Sequence, residues 1–131
     1  TEQSGLLDAS ARLAEARDGL RVSRKAAADA AMAGGAAAEQ RGDFVEAQRE
    51  YERASEADPA SRADEALGRV RARMKTLGDD AFKRARTFDA LGRTEDAIAQ
   101  YERAVQLLAP DEPNRKAARQ RLDVLRAGII K

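Results

Sequence analysis

The chain has 131 residues, of which 36% are charged and only 4% aromatic, and its formal net charge is +1. Charges that nearly cancel leave no global field to gather nucleic acid or an anionic membrane. The absence of Cys and His excludes disulfides, thiolate chemistry, Cys/His zinc sites and histidine-based acid–base or triad catalysis.

No run of about 18 apolar residues is present to cross a bilayer, and no basic-then-apolar leader is visible. Abundant Ala with few Gly and Pro points to long helices with Ala-rich contacts, within one modest domain. Together with the excess of Arg over Lys it suggests a GC-rich bacterial genome. The compartment, cytoplasm or periplasm, stays open. A chain starting at Thr1 rather than Met suggests a piece processed or excised from a larger protein.

Residues Thr1 to Gly5 are polar and expected to fray. From Leu6 the spacing turns helical, with Leu13, Ala16, Leu20, Ala27, Ala31, Gly35 and Ala38 defining one face. Gly42 ends this helix as a left-handed cap. Gly34-Gly35 marks either a kink or a close approach by a neighbouring helix. Asp43 and Glu46 form a capping-box-like pair opening a second helix, whose buried stripe is Phe44, Ala47, Tyr51 and Ala54. Asp58-Pro59 stops it. Ser61 with Asp64 offers a cap for a third helix, with Ala63, Leu67, Val70, Met74, Leu77, Ala81, Ala85, Phe88 and Leu91 in phase. One helix of roughly 30 residues, about 45 Å long, fits best. A break at Leu77-Gly78-Asp79 is the alternative. Thr94 caps a fourth helix through Ala97, Tyr101, Ala104 and Leu108. After the turn Pro110 to Pro113, a last helix carries Ala118, Leu122, Leu125 and Ile129.

The stretch GDFVEAQREYERASEADP, Gly42 to Pro59, returns as GRTEDAIAQYERAVQLLA, Gly92 to Ala109, fifty residues on. At that offset Leu13 falls on Ala63, Leu20 on Val70, Lys25 on Lys75, Asp29 on Asp79 and Met32 on Phe82. The repeat therefore includes the long helix as well as the short one. Units of this kind bury their apolar faces by stacking.

Gly42, Ala47, Tyr51, Ala54 and Pro59, and again Gly92, Ala97, Tyr101, Ala104 and Ala109-Pro110, resemble the second half of a tetratricopeptide repeat (TPR). The likeness covers 28–61 and 78–111. The family unit is 34 residues, so roughly sixteen extra residues lengthen each first helix. The family's Trp is replaced by Ala31 and Ala81. The resemblance implies an all-α antiparallel helical repeat, a TPR-like α-solenoid of about five helices alternating long and short. Repeat 1 would span about 12–61, repeat 2 about 62–111 and a capping helix about 112–128. It implies a non-enzymatic protein–protein interaction or scaffolding module, with no catalytic residues, cofactor or metal.

The groove positions implied by the family are Asp29, Met32, Ala36, Glu39 and Gln40, then Asp79, Phe82, Lys83, Arg86 and Asp89. Met32, Glu39, Asp79, Phe82, Lys83, Arg86 and Asp89 are the candidate partner-binding residues. A paired Asn/Lys carboxylate clamp is not supported, since the one Asn is Asn114. Tyr51 and Tyr101 read as interface filling. Arg41-Gly42-Asp43 reads as a cap and turn. The basic run Arg69 to Arg86 follows a short helix dominated by acid, Glu46 to Asp58, a pattern that suits either an acidic-peptide groove or a solvated face with ion pairs between neighbouring helices. Without interleaved aromatics the basic run does not suit nucleic acid. Asp79-Asp80 and Glu95-Asp96 sit at expected helix starts, where the dipole favours them. The expected partner is a protein or peptide. The alternative function is a helical spacer or self-association domain, in which the long helices, with Leu6, Leu7, Ile129 and Ile130 at their ends, pair between copies into a homo-oligomer.

Overall fold

The computed structural model describes the backbone of residues 2–130 and the side chains of residues 5–129. Thr1, the start of the expected frayed segment, and the side chain of Ile130 lie outside this range. The described chain is all-α, with five helices packed antiparallel: α1 (Glu2–Gln40), α2 (Phe44–Ala57), α3 (Ala63–Ala90), α4 (Thr94–Leu107) and α5 (Pro113–Ile130). A short 3-10 turn, Pro59–Ser61, separates α2 from α3. Helix α1 thus includes Gln3 to Gly5, and α3 runs unbroken through Gly78.

The helix ends follow local chemistry. Gly42 and Gly92 take φ of 77° and 74°, the left-handed region that a Cβ disfavours. At the second of these turns the Gly92 N–H donates to the Asp89 carbonyl (3.1 Å) and the Arg93 N–H to the Phe88 carbonyl (2.9 Å), the Schellman pattern. Pro59 ends α2, and Asp58 caps the following turn by accepting from the Ala60 N–H at 3.0 Å. The Ser61 hydroxyl accepts from the Ala63 N–H at 3.3 Å. Its expected capping partner Asp64 instead accepts from the Ser55 hydroxyl at 2.9 Å. Thr94 is the first helical residue of α4 rather than its cap; Arg93 holds that position without a side-chain cap bond.

Contacts divide the chain into two units, with the boundary inside α3 between Leu67 and Gly68. The first unit holds α1, α2 from Glu46, the 3-10 turn and the start of α3. Ala38, Ala47 and Ala54 are fully buried, and Tyr51 is 2% exposed. Gly35 has no side chain because the Tyr51 ring occupies its place: a Cβ there would meet the ring at 2.5 to 2.8 Å. Close approach, not a kink, therefore explains Gly34-Gly35, and α1 continues through both.

The expected buried stripe of α1 is corrected in its N-terminal half. Residues 5–27 are all exposed, Leu13 and Leu20 included. Length accounts for this. At 1.5 Å per residue a 39-residue α1 is about 58 Å long, whereas a 14-residue α2 covers about 21 Å.

The second unit holds the rest of α3 with α4 and α5. Its core joins Ala81, Ala85, Ala97, Tyr101, Ala104, Leu108, Ala118, Leu122 and Leu125, with Phe82, Phe88, Ile98 and Val105 packed against it. Leu108 and Leu107 occupy the space a Cβ on Gly78 would need, at 2.6 and 3.2 Å. Gly78 is thus a packing position inside a continuous helix. Leu91 lies beyond α3 and is 68% exposed, and Ile129 is 57% exposed, so neither extends its helix's buried stripe.

The glycines separate packing from propensity. Gly35→Ala should destabilise by about 1–3 kcal/mol through overpacking against Tyr51. Gly68→Ala, with open space around it, should stabilise by up to about 1 kcal/mol through helix propensity. Urea unfolding of both variants beside the wild type reads the two signs.

Candidate functional site

The structure places five of the seven candidate residues on α3 and two on α1. Met32 is half-buried on α1. Glu39, seven residues further along, accepts a hydrogen bond from the Tyr51 hydroxyl at 2.5 Å. That bond holds α2 to the end of α1 and commits the carboxylate to the fold.

On α3 the same kind of bond recurs. The Tyr101 hydroxyl donates to Asp89 Oδ2 at 3.1 Å. Asp89 also receives Arg121 of α5 in a bidentate pair, Nε to Oδ2 at 2.6 Å and Nη2 to Oδ1 at 2.9 Å. A fork-to-fork pair fixes direction as well as distance, so one carboxylate ties α3, α4 and α5 together. The Arg121 guanidinium holds the Asp89 carboxyl below the usual carboxylate range, aided by the Tyr101 hydroxyl and opposed by partial burial. Burial and the Asp89 carboxylate push the Tyr101 hydroxyl up.

Asp79, the residue after Gly78, has a similar role. It accepts from Lys75 Nζ at 3.2 Å on its own helix and from Asn114 Nδ2 at 3.2 Å on α5. Lys75 also reaches Glu112 at 3.2 Å. Its ammonium is shifted up by these hydrogen bonds, the one it donates to Asp79 leading. Asn114, which lies off the family's groove positions, thus has a structural bond. Sequence spacing alone does not reveal it, because it joins residues 35 apart through the α5 packing.

Phe82, Lys83 and Arg86 remain. Phe82 is half-buried and meets the Tyr101 ring edge-on, with centroids 5.9 Å apart and planes at 61°. The Arg86 guanidinium lies over the outer face of Phe82, 6.0 Å from the centroid, at the outer limit of a cation–π contact. Lys83 and Arg86 are exposed and have no ion pair among the described residues. They line a shallow open depression of about 500 Å³ with Thr87, Ala90 and Leu91. Arg86 also borders a second depression of about 320 Å³, with Asp89, Ala90, Tyr101 and Arg121.

The candidates therefore divide by chemistry. Glu39, Asp79 and Asp89 are acceptors already engaged. Phe82 is a packed aromatic with one face under Arg86. Lys83 and Arg86 are cations directed outward. Arg121 joins this surface from α5, a residue that the sequence pattern did not single out because its partner lies 32 residues away.

The arrangement can hold an anionic or hydrogen-bond-accepting group by charge. Among the described residues no group of three His, Cys, Asp or Glu is placed to hold a metal ion. No helix among them is long and apolar enough to cross a membrane. No family model, curated protein or solved structure matches the chain.

The Asp89 pair sets a pH dependence. A carboxyl with a depressed folded pKa contributes stability that is present above its unfolded value, about 3.9, and is lost as pH falls through the lower folded value. Arg121→Gln should therefore lower stability at neutral pH and flatten the loss of stability between about pH 4 and the acid limit. Urea midpoints across that range, for variant and wild type, check the slope.

Proposed function

We propose that this chain is a non-enzymatic protein-interaction module of the tetratricopeptide-repeat type, and that α3 presents its peptide-binding surface at Lys83 and Arg86. The observation that carries the reading is the outward, unpaired set of two cations beside two shallow depressions, on a helix whose acids Asp79 and Asp89 are already bonded. A surface of this kind suits an acidic segment, with Arg86 as a planar donor and the Phe82 face beneath it.

The repeat reading draws support from local features that recur fifty residues apart. Tyr51 bonds Glu39 and Tyr101 bonds Asp89, each across twelve residues. Gly42 and Gly92 share one backbone conformation. Ala47, Tyr51 and Ala54 are buried in α2 as Ala97, Tyr101 and Ala104 are in α4, and both short helices have 14 residues. Small residues between long and short helices, a tyrosine in the groove and a proline stop fit stacked units.

Selection from a random displayed peptide library tests this directly. Sequences rich in Asp and Glu should enrich on the wild type. Arg86→Glu should weaken the selected peptides by about tenfold or more, as loss and reversal of a charged hydrogen-bond donor does. Fluorescence anisotropy measures the change. Equal binding by Arg86→Glu and wild type, or no enrichment of acidic sequences, would contradict the assignment.

A further inference from the structure

We propose that the N-terminal half of α1 pairs antiparallel with the same segment of a second copy of this chain. Every described side chain of 5–27 is exposed, and Arg17, Leu20, Arg21 and Arg24 border an open depression of about 360 Å³ with Ala57, Asp58 and Pro59 at the end of α2. The segment is not polar all round. Leu6, Leu13 and Leu20 recur at intervals of seven and keep 69%, 54% and 53% exposure. Three residues after each comes a small side chain: Ala9, Ala16 and Ser23. This is a heptad seam with leucine at one core position and small residues at the other. Its leucines prolong the face that the chain itself uses further along, since Leu13 and Ala31, and Leu20 and Ala38, are each five full helical turns apart. The buried line on α1 is Ala28, Ala31, Gly35 and Ala38, whereas Ala27 and Ala30, which continue the seam, stay exposed beside it. A helix of this length with Gly5 and Gly19 in it draws most of its stability from packing, not from propensity.

The pattern selects both the occupant and its direction. In an antiparallel pair each core layer sets one core position against the other. Leu6 then faces Ser23 of the second copy, Leu13 faces Ala16, and Leu20 faces Ala9, so every layer joins one large and one small side chain. A parallel pair would alternate Leu–Leu with Ala–Ala layers, which demand different helix separations. It would also set Arg12 against Arg17 across the flanking positions, twice.

The charges agree. Asp8 and Glu15 against Arg12 leave residues 5–16 at net −1, and Arg17, Arg21, Arg24 and Lys25 against Asp18 leave residues 17–27 at net +3. Antiparallel pairing lays the acidic end of each helix along the basic end of the other. The register given keeps the pair within residues 6–23, about 27 Å long, with its Leu20 end beside Ala57, Asp58 and Pro59. The small apolar area makes a weak, concentration-dependent dimer the expected result.

Sedimentation equilibrium of the whole chain should show a dimer at roughly 100 μM that dissociates on dilution. Leu13→Glu should weaken it by about tenfold or more, because it sets a charge in the seam. Val22→Glu, also on α1 and 66% exposed but outside the seam, should associate like the wild type. Direction is read by cross-linking, as the native chain has no cysteine. An equimolar mixture of Ala9→Cys and Leu20→Cys chains should form a disulfide between them. Ala9→Cys alone should not, because its two copies would stand about 16 Å apart, beyond disulfide reach. A strict monomer at about 1 mM, or equal association by Leu13→Glu and wild type, would overturn the proposal. So would equal loss in Val22→Glu, or efficient cross-linking of Ala9→Cys alone.

Discussion

At Gly35 the backbone of α1 lies against the ring of Tyr51, so near that a single methyl group would stand 2.5 Å from the ring edge. That approach decides much of what surrounds it. The other buried residues of α1 and α2 are alanines, Ala28, Ala31, Ala38, Ala47 and Ala54, so no large aliphatic side chain holds the two helices apart or fills a gap. The tyrosine supplies most of the buried volume, and its hydroxyl must find an acceptor near the surface. Glu39 provides one at 2.5 Å. Fifty residues on, Ala85 stands where Gly35 does, fully buried, and the Tyr101 hydroxyl meets Asp89 at 3.1 Å. A chain with so few aromatics can thus order its helices, because each tyrosine joins an apolar contact to a directed bond.

The same economy explains why several candidate residues are hydrogen-bonded within the fold. An acid near the end of a long helix, opposite a tyrosine, is where the fold needs an acceptor. Asp89 goes further and receives Arg121, so that α5 is positioned by a charge pair as well as by Ala118, Leu122 and Leu125. Partial burial makes such a pair worth more than an open surface bridge. With Asp79 and Asp89 engaged, Lys83 and Arg86 stand without an ion pair among the described residues.

Much of the architecture was legible in the sequence. Interval-three and interval-four spacing marked every helix, Gly42 marked a left-handed cap, and Pro59 marked the stop after α2. The continuity of α3 through Gly78 was legible from phase, but the reason for that glycine was not, because Leu107 and Leu108 lie some thirty residues away. The fate of Leu13 and Leu20 was not legible either. Periodicity shows that a helix has an apolar side, and it says nothing about what covers that side. Here α2 is too short to do so. In the candidate site, the residue types and the helix were readable. Which of them the fold had already engaged depended on Arg121 and Asn114, whose partners lie 32 and 35 residues distant.

Helix α1 thus has two segments with different physical support: a C-terminal one locked by the tyrosine contact, and an N-terminal one whose seam awaits a second chain. Amide hydrogen exchange at two protein concentrations reads this division residue by residue. Amides from about Ala28 to Gln40 should be protected at any concentration, as packed helices are. Those from about Leu6 to Ser23 should exchange rapidly in dilute solution and become protected as concentration rises. Protection that is uniform along α1 and independent of concentration would contradict this division.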